Sequence, residues 1–338
     1  MNAASAPDTA FDAILEVEEL RKEFVSHRGR MRVRAVDGVS FSLKRGEILG
    51  LVGESGCGKT TTGKLIMRLV EPSSGNIRVE GKDAVSLDRE ADFAYRRRVQ
   101  MIFQDPYASM NPHFKIRDVL EEPLLIHGIG ASRTERMKLV EEVMEKVKMT
   151  PASEFMDRYP HMLSGGQRQR IATARTLILR PSIIVADEPV SMIDLSTRAE
   201  ILHLMKTIQS DMDLSFIYIT HDISTARYFT DRIAVMYLGR IVELGTQDEV
   251  IDHPAHPYTK ALIEAVCEPV SGRVGIMRDL KVKGEIPSAS DIPSGCRFHP
   301  RCLFATEACA KEPEPELQDL GDGHAQACRR YSEIQYGR

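Results

Sequence analysis

The stretch Ile48 to Leu69, ILGLVGESGCGKTTTGKLIMRL, leaves this chain few folds to choose from. The apolar run Ile48 to Val52 is short and bounded by glycine, as a buried parallel strand is. Leu65, Ile66, Leu69 and Val70 recur at helical spacing. Between strand and helix stands Gly53-x4-Gly58-Lys59-Thr60. Glycines at this spacing let backbone N–H groups curl around a phosphate, and the helix that follows offers its positive N-terminal end. Lys59 is placed to reach the β- and γ-phosphates, and the Thr60 hydroxyl to ligate Mg²⁺. A chance match would lack the flanking strand and helix. The expectation is an α/β nucleotide-binding core.

Composition sets the outer bounds. A chain of 338 residues, 42% hydrophobic and 28% charged, can bury a sizeable core and has room for two domains. The formal net charge of -4 argues against a nucleic-acid scaffold. The short basic runs Arg28-x-Arg30-x-Arg32-x-Arg34 and Arg96-Arg97-Arg98 are expected to be solvated surface. No apolar stretch approaches a membrane span of roughly 18 residues. The start MNAASAPDTA has neither a basic region nor an apolar core, so the expectation is a cytosolic chain with residues 1–11 disordered. The six cysteines then suit metal ligation or bystander roles better than disulfides.

Further along, alternating apolar residues mark strands at Ile14 to Val17, Val39 to Leu43, Ile77 to Val79 and Val99 to Phe103, the last ending at Gln104. Phe24 lies between the first two. An aromatic there can stack on a nucleotide base or simply join the core. QDPYASMNP, residues 104–112, is loop by its Pro, Asn and Ser content. Met137, Val140, Met144 and Val147 step along one face of a helix, in what reads as a helical insertion over about residues 106–163. Ser164, Gly165, Gly166 and Gln167 open a second helix whose N-terminus is also suited to an anion. The apolar strand closing on Asp187-Glu188-Pro189 has a Walker-B layout, Asp187 for Mg²⁺ and Glu188 to polarise an attacking water. Ser191 to Asp194 leads into a helix bearing Ile201, Leu204, Met205 and Ile208, and the strand Leu214 to Thr220 ends in His221. The position of His221 at a strand end in a nucleotide-binding sheet makes a γ-phosphate contact plausible. A hairpin, Arg232 to Tyr237 with Arg240 to Leu244, closes the core.

Phosphate loop, glutamine loop, LSGGQ, Walker B and terminal histidine stand here in the order found in ABC-transporter ATPases, which residues 12–250 resemble. FQDPYASMNP, YPHMLSGGQRQRIATAR, HPAHPYTKAL and GCRFHPRC are similar to the ATP-binding subunits of oligopeptide/dipeptide-type ABC importers. Two spellings depart from the usual pattern: Ser191-Met192-Ile193-Asp194 for the commoner SALD, and Phe24 for Tyr. Neither removes a chemical group that the mechanism uses. The resemblance implies a P-loop NTPase (RecA-like) ABC nucleotide-binding domain with a helical subdomain and a small cysteine-rich C-terminal extension over residues 251–338.

It implies ATP as substrate, with Gly53, Ser55, Gly56, Cys57, Gly58, Lys59, Thr60 and Thr61 on the phosphates and Phe24 on the base. Thr60, Gln104 and Asp187 serve Mg²⁺, and Glu188, His221 and Gln104 are catalytic. Two subunits dimerise head to tail, so that Ser164, Gly165, Gly166, Gln167 and Asp194 complete a site across the interface. Expected partners are a second, homologous ATPase subunit in a heterodimer, two transmembrane permease subunits and a periplasmic or extracellular solute-binding protein. Nucleic acid is not expected. The place is the cytoplasmic face of the cell membrane. The cargo is peptides or related small solutes, with oligosaccharides or nickel chelates as the alternative, and a soluble non-transport ATPase further behind.

The late cysteines form Cys296-x5-Cys302-x6-Cys309-x18-Cys328, within 33 residues. Spacing alone suits zinc, an iron-sulfur cluster or unliganded thiols. The resemblance favours a 4Fe-4S cluster on all four, with His299 nearby. Because these cysteines lie outside the residues that touch ATP, single Cys→Ser changes are expected to loosen this segment and leave ATP affinity nearly unaltered.

Overall fold

The computed structural model describes residues 13–25, 32–265 and 282–334. Residues 1–11, Arg28 and Arg30 lie outside them, and with them the expectations stated for those positions, as does Cys267, expected to be an ordinary residue. The chain begins with β1 (Ala13–Val25), β2 (Arg32–Lys44), β3 (Ile48–Val52), α1 (Lys59–Ile66), β4 (Ser74–Val79), β5 (Lys82–Asp83), α2 (Arg89–Arg98) and β6 (Val99–Ile102). There follow α3 (Ile116–Ile126), α4 (Arg133–Lys146), α5 (Ser153–Met156) and α6 (Gly165–Leu177). The core then continues with β7 (Ile183–Asp187), α7 (Leu195–Met212), β8 (Ser215–Thr220), α8 (Ile223–Phe229), β9 (Arg232–Tyr237) and β10 (Arg240–Thr246). Last come α9 (Gln247–Asp252), α10 (Pro257–Ala265), α11 (Glu307–Lys311), β11 (Gln318–Gly321) and β12 (His324–Gln326).

The strands form two sheets. A four-stranded antiparallel sheet runs β2-β1-β4-β5, and an eight-stranded sheet runs β11-β12-β10-β9-β3-β8-β7-β6. Within the larger sheet β9, β3, β8, β7 and β6 are parallel neighbours. All five residues of β3 and of β7 are buried, which is why each reads as an unbroken apolar run rather than an alternating one. Register places Val52 beside Thr220 and Asp187 beside Ile219. Four adjacent strands therefore end along one edge, where the loops after β3, β8, β7 and β6 carry the motif residues. That edge, outside the carboxyl ends of parallel strands, is where α/β sheets bind ligands.

Helices cover this sheet on one face through a core that joins Ile184, Ala186 and Phe216 to Leu120, Leu124, Val140, Met144 and Ile171. The amphipathic pattern read in residues 137–147 is α4, with Val140, Val143 and Met144 buried. Ile201, Leu204, Met205 and Ile208 are buried on α7 as the spacing predicts. Helix α1 ends earlier than its periodicity suggests: Met67 caps it and Arg68 turns to φ 54°, so Leu69 stands outside the helix and is 47% exposed. Helix α2 has no sequence signal of this kind. Only Tyr95 of its ten residues is buried, and Arg96, Arg97 and Arg98 fill the last turn, where cations suit the helix dipole.

The end of the chain returns to the larger sheet. Strand β12 pairs with β10, Glu243 opposite Gln326 and Leu244 opposite Ala325, and β11 adds a further strand. Between these strands and α10, Tyr237, Tyr258 and Phe298 stack with ring centroids 4.7 to 5.4 Å apart. This aromatic cluster belongs to a core that also takes in Val52, Val235 and Cys302.

Candidate nucleotide site

The loop after β3 is shaped by glycines that no other residue can replace. Gly58 sits at φ 108°, and a Cβ there would lie 2.2 Å from the Ala35 carbonyl oxygen. A Cβ on Gly53 would meet the Met236 carbonyl at 2.3 Å. The backbone is thereby folded tightly under the start of α1, which points its free N–H groups outward. Lys59 is the first residue of α1 and is 5% exposed. Its Nζ donates to the carbonyls of Gly53 at 2.7 Å and Glu54 at 2.9 Å, so the cation lies along the concave side of the loop. Cys57 is buried behind it, Sγ 3.7 Å from Nζ, and burial pushes its thiol up in pKa.

Thr60 Oγ1 donates to Asp187 Oδ1 at 3.0 Å, joining the phosphate loop to the end of β7. Burial raises the Asp187 pKa, and the Thr60 hydrogen bond works against it. Glu188 follows in a left-handed conformation, φ 46°, with its N–H on the Ile219 carbonyl at 2.9 Å. A non-glycine residue held there by its neighbours is backbone strain of the kind found at functional sites. The strain re-aims the side chain. Glu188 Oε2 accepts from Gln104 Nε2 at 2.9 Å, and Oε1 from His221 Nδ1 at 3.0 Å. One carboxylate is thus oriented from both sides by residues at the ends of β6 and β8. Gln104, Glu188 and His221, singled out separately along the chain, form a single hydrogen-bonded chain.

Other predicted residues lie apart from this cluster. Ser164 caps α6: its hydroxyl accepts from the Gln167 N–H at 3.3 Å while Gln167 Oε1 accepts from the Ser164 N–H at 3.0 Å. Gly166 lets α6 approach α7, since a Cβ would fall 2.7 Å from Thr197 Cγ2, whereas Gly165 faces open space. Asp194 stands exposed at the N-cap of α7. Arg198 stiffens the stretch before it, donating to the carbonyls of Ile193 at 2.9 Å and Ser191 at 3.3 Å. Phe24 belongs to the smaller sheet, opposite Val33, and is 42% exposed with Lys22 Nζ 5.3 Å from its ring centre. It is therefore not a core residue.

Cys296, Cys302, Cys309 and Cys328 converge on one cavity, which His299 also lines. Yet among the described residues no group of three or more His, Cys, Asp or Glu side chains is arranged to hold a metal ion. The arrangement gives no support to the expected 4Fe-4S cluster on these four cysteines. Burial pushes the Cys296 thiol up to about 12 and the Cys328 thiol up to about 11.

Sequence reasoning also missed a set of contacts made by the chain's last part. Arg301 donates from Nη1 and Nη2 to the two carboxylate oxygens of Glu54, at 2.6 and 2.9 Å. The Glu54 N–H donates to Tyr258 Oη at 2.9 Å. Arg297 donates to Asp37, the Leu238 carbonyl and Glu314. Buried Glu243 accepts from the N–H groups of Ala255 and His256, at 2.7 and 2.8 Å, and from His324 Nε2 at 2.9 Å. The segments HPAHPYTKAL and GCRFHPRC contain Tyr258, Arg297 and Arg301, so the signal was present as spelling without a partner attached to it.

A glycine loop under a helix start, a threonine and an aspartate in contact beside it, and a carboxylate held by glutamine and histidine define a nucleoside triphosphate hydrolase of the P-loop class. The ABC transporter family profile matches residues 36–191, and that of the oligopeptide/dipeptide transporter C-terminal region matches residues 242–309. The oligopeptide transport ATP-binding protein AppF of Bacillus subtilis is 44% identical over 95% of this chain and 98% of its own. The dipeptide transport ATP-binding protein DppF of Haemophilus influenzae is 48% identical over 88% of this chain and 89% of its own. Among solved structures, cbiO1 of Clostridium perfringens, part of an ABC transporter complex, superposes with TM-score 0.63 at 27% identity, covering 72% of this chain and 92% of that one. The dimeric ABC transporter cassette MJ0796 superposes with TM-score 0.62 at 29% identity, covering 69% of this chain and 98% of that one. The chain belongs to the ABC transporter ATPase family, in its oligopeptide/dipeptide branch.

Proposed function

We propose that this chain hydrolyses ATP to drive uptake of peptides through a multisubunit importer, with Glu188 as the group that polarises the attacking water. The observation that carries this reading is the Gln104–Glu188–His221 hydrogen-bond chain standing beside the Thr60–Asp187 contact. Phosphoryl transfer asks little of a protein beyond positioning and charge neutralisation. Glu188, aimed from two sides, accepts hydrogen bonds from the water. His221 is free to reach the γ-phosphate by its other ring nitrogen. Lys59 supplies positive charge along the phosphates, and the N–H groups of Gly53, Ser55, Gly56 and Gly58 to Thr61 cradle them.

Thr60 and Asp187 fit Mg²⁺, both being hard oxygen donors already in contact. The cation is usually held by one or two protein groups plus phosphate oxygens and water, so no three-residue cage is called for. When bound, it neutralises charge developing on the phosphate oxygens. Gln104 would serve the same cation through its side-chain oxygen.

Ser164, Gly165, Gly166, Gln167 and Asp194 are assigned to the second half of each site, acting in trans on the other subunit's phosphate loop. They lie at the starts of α6 and α7, where Ser164 and Asp194 are exposed, and one solved relative is a dimeric cassette. We place a homologous ATPase subunit, two permease subunits and a solute-binding protein beside this chain, at the cytoplasmic membrane face. Among the described residues no helix is long and apolar enough to cross a membrane, so the permeases supply the spans. Residues 106–163, next to Gln104, pass closure of the dimer to them.

The four cavity-lining cysteines fit a 4Fe-4S cluster as donors, since soft thiolates select iron-sulfur centres and zinc over hard cations. A single zinc ion draws its sulfurs to within about 2.3 Å of one point. Iron, zinc and acid-labile sulfide per chain after anaerobic purification decide between them. We expect iron with sulfide, and stoichiometric zinc without sulfide overturns the assignment.

The importer reading is tested by reconstituting the purified complex and measuring ATP hydrolysis with and without its solute-binding protein, whose co-bound molecule is then identified. Peptide in the binding protein and stimulated hydrolysis are expected. A saccharide or a nickel chelate there moves the cargo to the alternative class.

A further inference from the structure

Glu54 is the residue after Gly53, inside the phosphate loop, and each of its polar groups is taken. Its carbonyl accepts from Lys59, its N–H donates to Tyr258 Oη, and its carboxylate receives both Nη atoms of Arg301. Two of those three partners come from the end of the chain. Arg301 lies 247 residues from Glu54 in sequence, and the side chains of the pair are 5% and 15% exposed. Arg301 rides on the turn between Cys296 and Cys302, where its own N–H donates to the Phe298 carbonyl at 3.0 Å. Its guanidinium lies over the rings of Tyr237 and Phe298, 5.8 and 6.0 Å from their centres. The same part of the chain faces the loop again through Ile286, Pro287 and Ala289, which line a cavity of about 180 Å³ with Ser55 and Gly56.

A carboxylate inside a loop built to receive a triphosphate is a problem of charge. Left free, Glu54 repels the phosphates or swings to Lys59 and competes for it. A bidentate arginine removes both possibilities, because fork-to-fork pairing fixes the geometry as well as cancelling the charge. We infer that Arg301, carried on the cysteine-bounded turn, is a positioning residue for ATP binding: it neutralises and holds Glu54 so that Lys59 and the loop N–H groups stay directed at phosphate. This rests on the reading of the loop as the ATP site and extends it to a residue outside the ATPase motifs. It also revises the expectation that the cysteine segment and ATP affinity are independent, since Cys302 is the next residue after Arg301.

The test is Mg·ATP titration and steady-state phosphate release on the full chain, comparing wild type, Arg301→Gln, Arg301→Lys, the double variant Arg301→Gln/Glu54→Gln, and Lys59→Ala. Arg301→Gln is expected to weaken ATP binding about tenfold, the scale of a charged hydrogen-bonded pair, with the loss falling on KM rather than kcat. Arg301→Lys keeps the charge and loses the fork, and should fall between. The double variant removes the stranded carboxylate and should recover most of the affinity, which a residue that merely supports folding would not allow. Wild-type affinity in Arg301→Gln, or a double variant no better than the single one, overturns the inference. Should Arg301→Gln fail to fold, the Arg301→Lys titration decides, and wild-type affinity there overturns it. If wild type does not bind ATP, or Lys59→Ala binds as well as wild type, the reading of the loop itself has failed instead.

Discussion

The catalytic edge of the large sheet and the cysteine-bearing segment at its far flank are both attached to the same strands, yet they are assembled differently. At the catalytic edge Asp187 ends a parallel strand, Glu188 and His221 directly follow strand ends and Lys59 opens α1, so the register of neighbouring strands brings them together. At the flank, contact is made by charged groups reaching back across the chain: Arg301 to Glu54, Arg297 to Asp37, and His324 to Glu243. The difference teaches where each part is vulnerable. The edge depends on backbone register, which single substitutions barely alter, so its variants should lose chemistry and keep their fold. The flank depends on ion pairs whose removal strands a buried charge, so its variants should shift affinity and stability.

The largest effect expected at the edge is Lys59→Ala. Removing a buried cation from the concave side of the loop should weaken ATP binding by roughly 10- to 100-fold while the far-ultraviolet circular dichroism stays that of wild type. Binding within about twofold of wild type would place the phosphates elsewhere. Ser164→Arg comes next. Acting in trans, it should disable the composite site formed with the partner subunit's phosphate loop and leave Lys59's own site complete. In a heterodimer, ATP binding by this chain should then persist while hydrolysis by the complex falls, and an unchanged rate breaks the assignment of α6 to the interface.

The flank gives a smaller, pH-dependent effect. The hydrogen bond to Glu243 raises the His324 pKa above its ordinary 6.5, with burial opposing and Glu249 assisting. A histidine whose folded pKa is raised contributes its stability in full below 6.5 and loses it as pH climbs through the folded value. Hydrogen exchange of β12 should therefore quicken above neutrality, and His324→Gln should flatten that pH dependence. Exchange that slows with rising pH after correction for the intrinsic rate would reverse the sign of the account.

The same contrast explains what was legible from residue order. Gly53 to Gly58 and Ser164 to Gln167 announce themselves because backbone geometry over a few residues demands those types there, and Asp187 to Glu188 because two carboxylates close an unbroken apolar strand. The convergence of Gln104, Glu188 and His221 followed from three strand ends, each visible as a short apolar run. Glu54 was overlooked because its function depends on Arg301, and a long-range ion pair has no period to detect. Strand β12 is three residues long, too short to alternate, and its partner Glu243 reads as an ordinary surface acid although it is fully buried. Helix α2 was missed for the opposite reason, having almost no buried face.

The central claim is that Glu188, held by Gln104 and His221, activates the attacking water. It is tested most directly by Glu188→Gln, with Mg·ATP affinity and steady-state phosphate release measured on the same preparation. Glutamine keeps the size and one acceptor oxygen, while its NH2 only donates and it cannot act as a base. We predict ATP affinity within about threefold of wild type and a fall in kcat of roughly 10²-fold or more, the scale of a lost general base. Wild-type turnover by Glu188→Gln would contradict the account.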